Sequence, residues 1–390
     1  MRIFLNMHYE FMLWMEKVNE WKDKPIHRIY VATEHGLTSN LVEKYFKEFS
    51  EAGCKLVIDP FVGTGTVLIE AQKRGVECIG IDANPWALLV SKAKTTPIAS
   101  AEQLVMRVSS VLSKSDSDDD IFIPTKALEK YYTSKNLSIL GNLRYLLELP
   151  TLRKYKPLLL TLFCKIAERY SKLMKSPAPR FRRKCKRIYS RQKLFEEFLQ
   201  EVRLAVNDLR FLKSSSVHLI LADSTSWLPE KFDGILTSPP FMNNIDYIRH
   251  SQLSLYWCGL ANDSEDLSRL RSMQLVSCEA GVRRWKKVSD ERYVNSIVRK
   301  ITGSRKQGYS LFVKQYAYYF EQHLTLLAER LQWQAWYTIG DSFLGGAYIP
   351  LHRIIMRLAK KHNLKVIIEK LGNRIARGRK LYLLKMISKG

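Results

Sequence analysis

The segment from Lys55 to Lys94 limits the fold more than any other part of the chain. Lys55–Phe61 (KLVIDPF) is a short apolar run of the buried-strand kind, and Gly63 and Gly65 interrupt it. Thr66–Arg74 has helical periodicity, Cys78–Ala83 (CIGIDA) reads as a second strand, and Pro85–Lys94 as a second helix. A βαβα unit of this kind implies an α/β fold with a parallel sheet and right-handed crossovers.

The rhythm then stops for over a hundred residues, far longer than the usual connection of about 2–6 residues in α/β units. Residues 101–213 read as helical, with an acidic break at Asp116–Asp120 and a basic segment from Lys172 to Lys193 that holds ten Lys or Arg and no acid. Strand signals resume at Val217–Asp223 and Phe232–Thr237, and a polar, basic and irregular stretch covers Asn262–Gln315. A helix is expected through Tyr316–Leu331, a strand at Ala335–Asp341, a helix at Leu351–His362, and two last strands at Leu364–Lys370 and Leu381–Ile387. Residues 1–50 read as helical and aromatic, then extended around His27–Thr33, then helical from Leu41, with Asn40 and Glu43 at capping-box spacing. The total is about seven strands in one sheet, divided as residues 1–100, a helical and basic insertion at 101–215, and residues 216–390 with a second basic insertion at 262–315.

Charge narrows the class of partner. The 390 residues carry 63 Lys plus Arg against 38 Asp plus Glu, a formal charge of +25, while 46% hydrophobic content provides for a core and excludes intrinsic disorder. Such a field is self-repelling unless a polyanion offsets it. No apolar run approaches the roughly 20 residues of a membrane span, and MRIFLNMHYEFMLWMEK has neither the uninterrupted apolar region nor the cleavage site of a signal peptide. The expectation is a cytoplasmic protein that binds nucleic acid and no membrane. The six cysteines form no CxxC pair and fit no zinc spacing, so free thiols and no metal are expected.

Two motifs carry chemistry. In Asp59-Pro60-Phe61-Val62-Gly63-Thr64-Gly65-Thr66, glycines after a first parallel strand allow a tight turn and let a ligand approach the main chain. Asp82, seventeen residues past Gly65 at the second strand's end, is placed to accept from ribose hydroxyls. Both NAD and S-adenosylmethionine remain open at this point, although the missing third glycine argues against the dinucleotide. In Thr237-Ser238-Pro239-Pro240-Phe241, two prolines directly follow a buried strand, where they fix a rigid carbonyl.

DPFVGTGT together with TSPPF resembles the S-adenosylmethionine-dependent amino-methyltransferases of nucleic acids, which modify cytosine N4 or adenine N6. The similarity covers residues 25–96 and 217–260, and more weakly 316–387. The resemblance implies a Rossmann-like class I methyltransferase fold with a mostly parallel sheet and a helical insertion. It implies Ser238, Pro239, Pro240 and Phe241 as the catalytic loop, with Ser238 Oγ and the Pro239 carbonyl accepting from the target amine and Phe241 stacking on the base. Around the cofactor it implies Asp59, Pro60, Phe61, Gly63, Gly65 and Thr66 with Asp82 and Ala83, and Asp223 and Ser224 near the adenine. Thr38 and Ser39 lie in PIHRIYVATEHGLTSNLVEKYF, which is similar to the stretch that helps hold the cofactor's methionine end. Asp246 and Tyr247, just past the catalytic loop, are candidates for lining the base pocket. A Ser before the prolines is more typical of the cytosine-N4 branch. No Pro-Cys pair occurs, which disfavours a cytosine-C5 thiolate mechanism.

The basic segment includes Arg180, Arg182, Arg183, Lys184, Lys186 and Arg187 with Phe181 and Tyr189 interleaved, a pattern suited to phosphates and bases. Arg283, Arg284, Lys286 and Lys287 around Trp285 form a second cluster, and Arg374, Arg377 and Arg379 lie between the last two strands. The expected activity is site-specific DNA methylation at cytosine N4, with a restriction endonuclease as a possible functional partner. Methylation of cytosine N4 in ribosomal RNA, of adenine N6 in DNA, and an inactive nucleic-acid-binding module remain the alternatives.

Overall fold

A computed structural model describes residues 24–31, 37, 39–114, 120–174, 179–210, 212, 216–284, 287–374 and 379–388. The chain divides into two compact units.

One unit draws on Glu34–Asn84, Ser215–Tyr247 and Ser268–Gly390. It holds a seven-stranded sheet of β1 (Leu56–Asp59), β2 (Glu77–Asp82), β3 (Val217–Leu221), β4 (Phe232–Thr237), β5 (Leu331–Gly340), β6 (Leu364–Arg374) and β7 (Arg379–Ser388). Across the sheet the order is β6-β7-β5-β4-β1-β2-β3. Strand β7 runs antiparallel to both its neighbours, and every other adjacent pair is parallel. This is the Rossmann-like, mostly parallel α/β sheet that the sequence pattern implied. The chain order reverses between β1 and β4, and in open α/β sheets ligands bind beyond the carboxyl ends of the strands at such a reversal.

At the centre of the sheet both faces are covered, which explains why β1 and β4 lie in largely apolar runs, whereas the edge strands β3 and β6 keep exposed positions such as Leu221 and Ile367. Trp336 and Tyr337 are neighbours in β5, and successive side chains leave a strand on opposite faces. Trp336 meets Phe49 of helix Ser39–Glu51 edge to face at 4.9 Å, whereas Tyr337 meets Phe320 of helix Lys306–Arg330 at 6.0 Å.

The other unit draws on Met1–Thr33, Pro85–Ser214 and Ile248–Leu267, and its described part is mostly helical. Hydroxyl side chains cap three of its helices: Ser100 accepts from the Gln103 N–H, Thr133 from Asn136 and Ser190 from Lys193. Leu104, Leu140, Phe163, Phe198 and Trp257 are fully buried. In helix Lys156–Arg169, Leu158 through Cys164 together with Ile166 and Ala167 are buried. Asp208, 1% exposed, receives both Nε and Nη2 of Arg28 at 2.8 and 2.7 Å and the Ile26 N–H at 3.1 Å. A buried carboxylate needs such a fork of charge-assisted bonds.

Several local expectations are corrected. The extended segment expected at His27–Thr33 begins instead as a 3-10 turn, His27–Ile29, drawn in by the Arg28–Asp208 pair and by burial of His27 and Ile29. Asn40 sits inside the first turn of helix Ser39–Glu51 and therefore is not its cap. The stretch 262–315 contains helices Ser264–Ser272 and Arg292–Val298 and the start of helix Lys306–Arg330. A hairpin of Ser342–Leu344 and Ala347–Ile349, unforeseen, follows β5. The second helix, Pro85–Thr95, groups with the helical unit. All six cysteines are free, and among the described residues no helix is long and apolar enough to cross a membrane.

Candidate active site

The two motifs meet at the reversal point of the sheet unit. Asp59 closes β1 and Thr237 closes β4, and these strands pair in parallel through Ile58 and Ile235. The Thr237 hydroxyl donates to Asp59 Oδ1 at 2.5 Å, and the same oxygen accepts the Phe61 N–H at 3.1 Å. Asp59 is 3% exposed, and this burial pushes its carboxyl up to about 7 despite the two bonds that favour the ionised form. One buried carboxyl thus sets the entry of the glycine turn and ties it to the strand that carries Ser238.

Gly63 and Gly65 have φ of 50° and 80°, the left-handed region that a Cβ disfavours. Gly65 is the N-cap of helix Thr66–Lys73, with no side-chain cap bond, so Thr66 is the first helical residue and the helix begins directly at the glycine turn. Pro60 is buried and Phe61 half-buried, the latter 5.4 Å from the His323 ring. At the end of β2, Asp82 Oδ2 accepts the Gly63 N–H at 3.0 Å and Oδ1 accepts the Asn84 N–H at 2.8 Å. Burial moves the Asp82 carboxyl up to about 6. Each carboxylate oxygen has a second lone pair, so these bonds orient the group and leave acceptor capacity for a ligand hydroxyl. Ala83 is buried beside it.

Asp223 follows β3, and its Oδ1 accepts both the N–H and the hydroxyl of Thr225 at 2.9 and 2.8 Å. It therefore closes a turn, and burial holds its carboxyl above the ordinary range. Ser224 is buried, and its carbonyl meets His323 Nδ1 at 2.8 Å. A carbonyl only accepts, so Nδ1 carries the proton, while Nε2 at 2.7 Å accepts from the Tyr337 hydroxyl. Burial lowers His323 to about 4, leaving it neutral. This is a fixed, uncharged wall behind Phe61.

The serine-proline loop is held from three sides. The Tyr316 hydroxyl donates to the Pro240 carbonyl at 2.8 Å, Ser342 Oγ donates to Asn243 Oδ1 at 2.8 Å, and Asn244 Oδ1 accepts the Glu279 N–H at 2.6 Å. Asn244 adopts φ 60°, which Asn tolerates better than most residues. With Pro240's carbonyl engaged, Ser238 Oγ and the Pro239 carbonyl are acceptors that no described residue occupies. Ser238 is half-buried and Pro239 buried. Phe241, expected to stack on a base, is only 5% exposed, so its ring is covered and offers no open face in this arrangement. Asp246 pairs with Arg271 Nε at 2.7 Å, which gives it a partner of its own on the sheet unit, and Tyr247 opens the next helix.

The stretch ahead of β1 that was expected to hold the cofactor's methionine end adds less, because Thr38 lies outside the described residues and Ser39 is described only as the first residue of its helix. Thr237 was named only as a member of its motif, and the contacts of Tyr316, Asn243, Asn244, Ser342 and His323 escaped the sequence reading. Only Asn243-Asn244 carried a signal, as a turn-forming pair shortly after the double proline.

On the helical unit, Arg180, Arg183, Lys184, Lys186 and Arg187 are exposed and Arg182 half-exposed, with Phe181 at 56% and Tyr189 at 72% exposure. Arg283 and Arg284 end a 3-10 turn, Glu279–Arg284, while Trp285, Lys286 and Arg377 lie outside the described residues. Arg374 and Arg379 are the facing end residues of β6 and β7.

A scan against models of known protein families finds no match. Among curated proteins, the chain is 25% identical over 302 residues to the Type II methyltransferase M.BsoBI of Geobacillus stearothermophilus, covering 66% of this chain and 57% of that protein. It is 25% identical over 272 residues to the Type II methyltransferase M.MvaI of Kocuria varians, covering 59% and 58%. A shorter match, 39% over 54 residues, is to the Type II methyltransferase M.MjaII of Methanocaldococcus jannaschii, covering 14% and 10%. The chain therefore spans a little under three fifths of the length of the first two relatives. The resemblance carried by DPFVGTGT and TSPPF is thus supported across most of the chain: it is a relative, at modest identity, of Type II methyltransferases.

Proposed function

We propose that this chain transfers a methyl group from S-adenosylmethionine to an exocyclic amine of a base in DNA, with cytosine N4 as the acceptor. The observation that carries the reading is the Thr237–Asp59 hydrogen bond. It joins the glycine turn to the serine-proline loop at adjacent strand ends, with Ser238 Oγ and the Pro239 carbonyl left as acceptors. S-adenosylmethionine supplies an electrophilic methyl group on a sulfonium. The residues present fit it. Asp82 keeps lone pairs for ribose hydroxyls, Gly63 and Gly65 let a ligand approach the main chain, and Asp223 closes the third strand end near the expected adenine.

The remaining chemistry belongs to the chain. The lone pair of an exocyclic amine is delocalised into the ring, which makes it a poor nucleophile. Ser238 Oγ and the Pro239 carbonyl accept from its two hydrogens and favour the pyramidal geometry in which the lone pair projects outward. Tyr316 fixes the loop through Pro240, so that the acceptor pair is preorganised. A base in a duplex must leave the stack to reach these groups, at a cost of a few kcal/mol. The basic residues around Phe181 hold phosphates.

Incubation with labelled cofactor, followed by nucleoside analysis, tests the reading. N4-methylcytosine in DNA is expected. Label confined to RNA overturns the DNA assignment, and N6-methyladenine overturns the choice of base. Ser238→Ala is expected to lower kcat strongly while cofactor binding, read by calorimetry, stays unchanged; equal loss of both removes its assigned role.

A further inference from the structure

The helical unit carries an aromatic arrangement that phosphate binding alone does not explain. Phe181 lies on Tyr131 with ring centroids 5.3 Å apart and planes 20° from parallel. Tyr131 is 2% exposed and Phe181 56%, so one face of the Phe181 ring is seated and much of the rest is open. Singly exposed aromatics are common on protein surfaces. This one differs because its backbone is fixed from several directions. Leu173 and Phe181 pair in a two-stranded ladder, the Arg182 N–H donates to the Lys172 carbonyl at 2.8 Å, and the Lys172 N–H donates to the Tyr131 carbonyl at 2.7 Å. Arg249 Nη2 donates to the Pro179 carbonyl at 3.1 Å just before the strand. The residue that supplies the seat is thereby tied through Lys172 to the strand that supplies the ring.

The surroundings are cationic. Arg180, Arg183 and Lys184 are exposed beside the ring, Lys130 sits 5.0 Å over the Tyr131 face, and no acid occurs from Pro179 to Ser190. The Nε of Arg182 is buried without a hydrogen-bond partner among the described residues. A rigid, open π-face within a field of positive charge matches an unpaired nucleobase attached to its phosphates. The base stacks and the backbone neutralises the field.

We infer that Phe181, seated on Tyr131, is a stacking platform for an unpaired base of the bound strand. This rests on the proposal that nucleic acid is the partner, and it adds a base contact to a segment otherwise assigned only to phosphates. The platform discriminates between opened and paired nucleic acid, because a base held within a duplex has no free face.

The test uses the full chain and two labelled duplexes, one fully paired and one with a single unpaired 2-aminopurine. The wild-type chain is expected to quench the 2-aminopurine. Phe181→Ala is expected to abolish the quenching and to weaken binding of the bulged duplex by about five-fold or more, in line with the loss of one stacked base. Affinity for the paired duplex and the salt dependence should not change, and Phe181→Trp should restore both quenching and affinity. If Phe181→Ala weakens both duplexes equally, or neither, the platform is overturned. A wild-type chain that binds neither duplex overturns the nucleic-acid reading and the platform with it. A chain that methylates DNA while Phe181→Ala changes nothing overturns the platform alone.

Discussion

Asp59→Asn separates the structural work of the Asp59 carboxyl from its charge. In the folded chain burial moves this carboxyl from 3.8 to about 7. Between those two pH values the folded state holds a proton that the unfolded chain has released. Stability therefore falls as pH rises, by about 1.4 kcal/mol per pH unit. Over the whole window the loss approaches roughly 4 kcal/mol, as an order of magnitude. It is absent below about pH 4 and complete above about pH 8. Asparagine keeps an oxygen to accept from the Phe61 N–H and the Thr237 hydroxyl, and it cannot ionise. Its new amide hydrogens add a pH-independent penalty of about 1–3 kcal/mol if they find no acceptor. Urea unfolding followed by circular dichroism, from about pH 5 to about pH 8, should show a smaller loss of stability in the variant than in the wild type. The missing part should amount to about 3 kcal/mol across that interval. Parallel pH profiles would refute the reasoning: the Asp223 contribution is common to both proteins, and the repulsion between Asp59 and Asp82, lost in the variant, changes its profile in the same direction.

Tyr316→Phe removes the donor to the Pro240 carbonyl without changing shape; kcat should drop several-fold while cofactor affinity stays constant, and an unchanged kcat would mean that the prolines alone fix the loop. Gly65→Ala forces a Cβ into φ 80° at the start of helix Thr66–Lys73 and should cost about 1–2 kcal/mol in unfolding free energy; Gly65→Asn should cost less, because Asn visits the left-handed region more readily. Neutralising Arg182, Arg183, Lys184, Lys186 and Arg187 together should flatten the plot of log affinity against log salt by about 0.9 for each lost duplex phosphate contact, and an unchanged slope in a salt titration would make the segment a bystander.

The centre of the sheet was legible because β1, β2 and β4 lie in short apolar runs that end in a polar residue at a loop, a pattern that burial between two covered faces favours. Lys55–Phe61, Cys78–Ala83 and Phe232–Thr237 lie within a residue or two of β1, β2 and β4. What failed was decided at a distance. His27–Ile29 turns because Asp208, 180 residues away, captures Arg28. Ser264–Ser272 has three acidic residues in or just before its first turn and two basic ones in its last, yet too few apolar positions to register as a periodic helix. The hairpin Ser342–Ile349 did carry a local signal, Gly345-Gly346 between two short apolar runs, which is the form of a two-residue turn. In the site, Asp59 and Ser238 stood in motifs, whereas Tyr316 and Ser342 act through single contacts to Pro240 and Asn243 across 76 and 99 residues. No spacing rule encodes such contacts. The burial of Phe241 escaped for a related reason: its position in the motif marks the loop, and its exposure depends on what packs over it.

The +25 charge and the raised carboxyls of Asp59 and Asp82 answer to different variables. The shift at Asp59 arises from its own burial, opposed by Thr237 and Phe61 and reinforced by Asp82, and that at Asp82 from burial opposed by the Gly63, Ala83 and Asn84 N–H groups. Salt screens exposed charge and displaces counterions from nucleic acid, but it leaves desolvation in a protein interior almost untouched. Nucleic-acid binding should therefore weaken steeply with salt while the pH midpoint of single-turnover methyl transfer, measured at saturating DNA, stays where it was. A midpoint that moves with salt would mean that screened charge, and not burial, sets the shifts, and their assignment to burial would have to be abandoned.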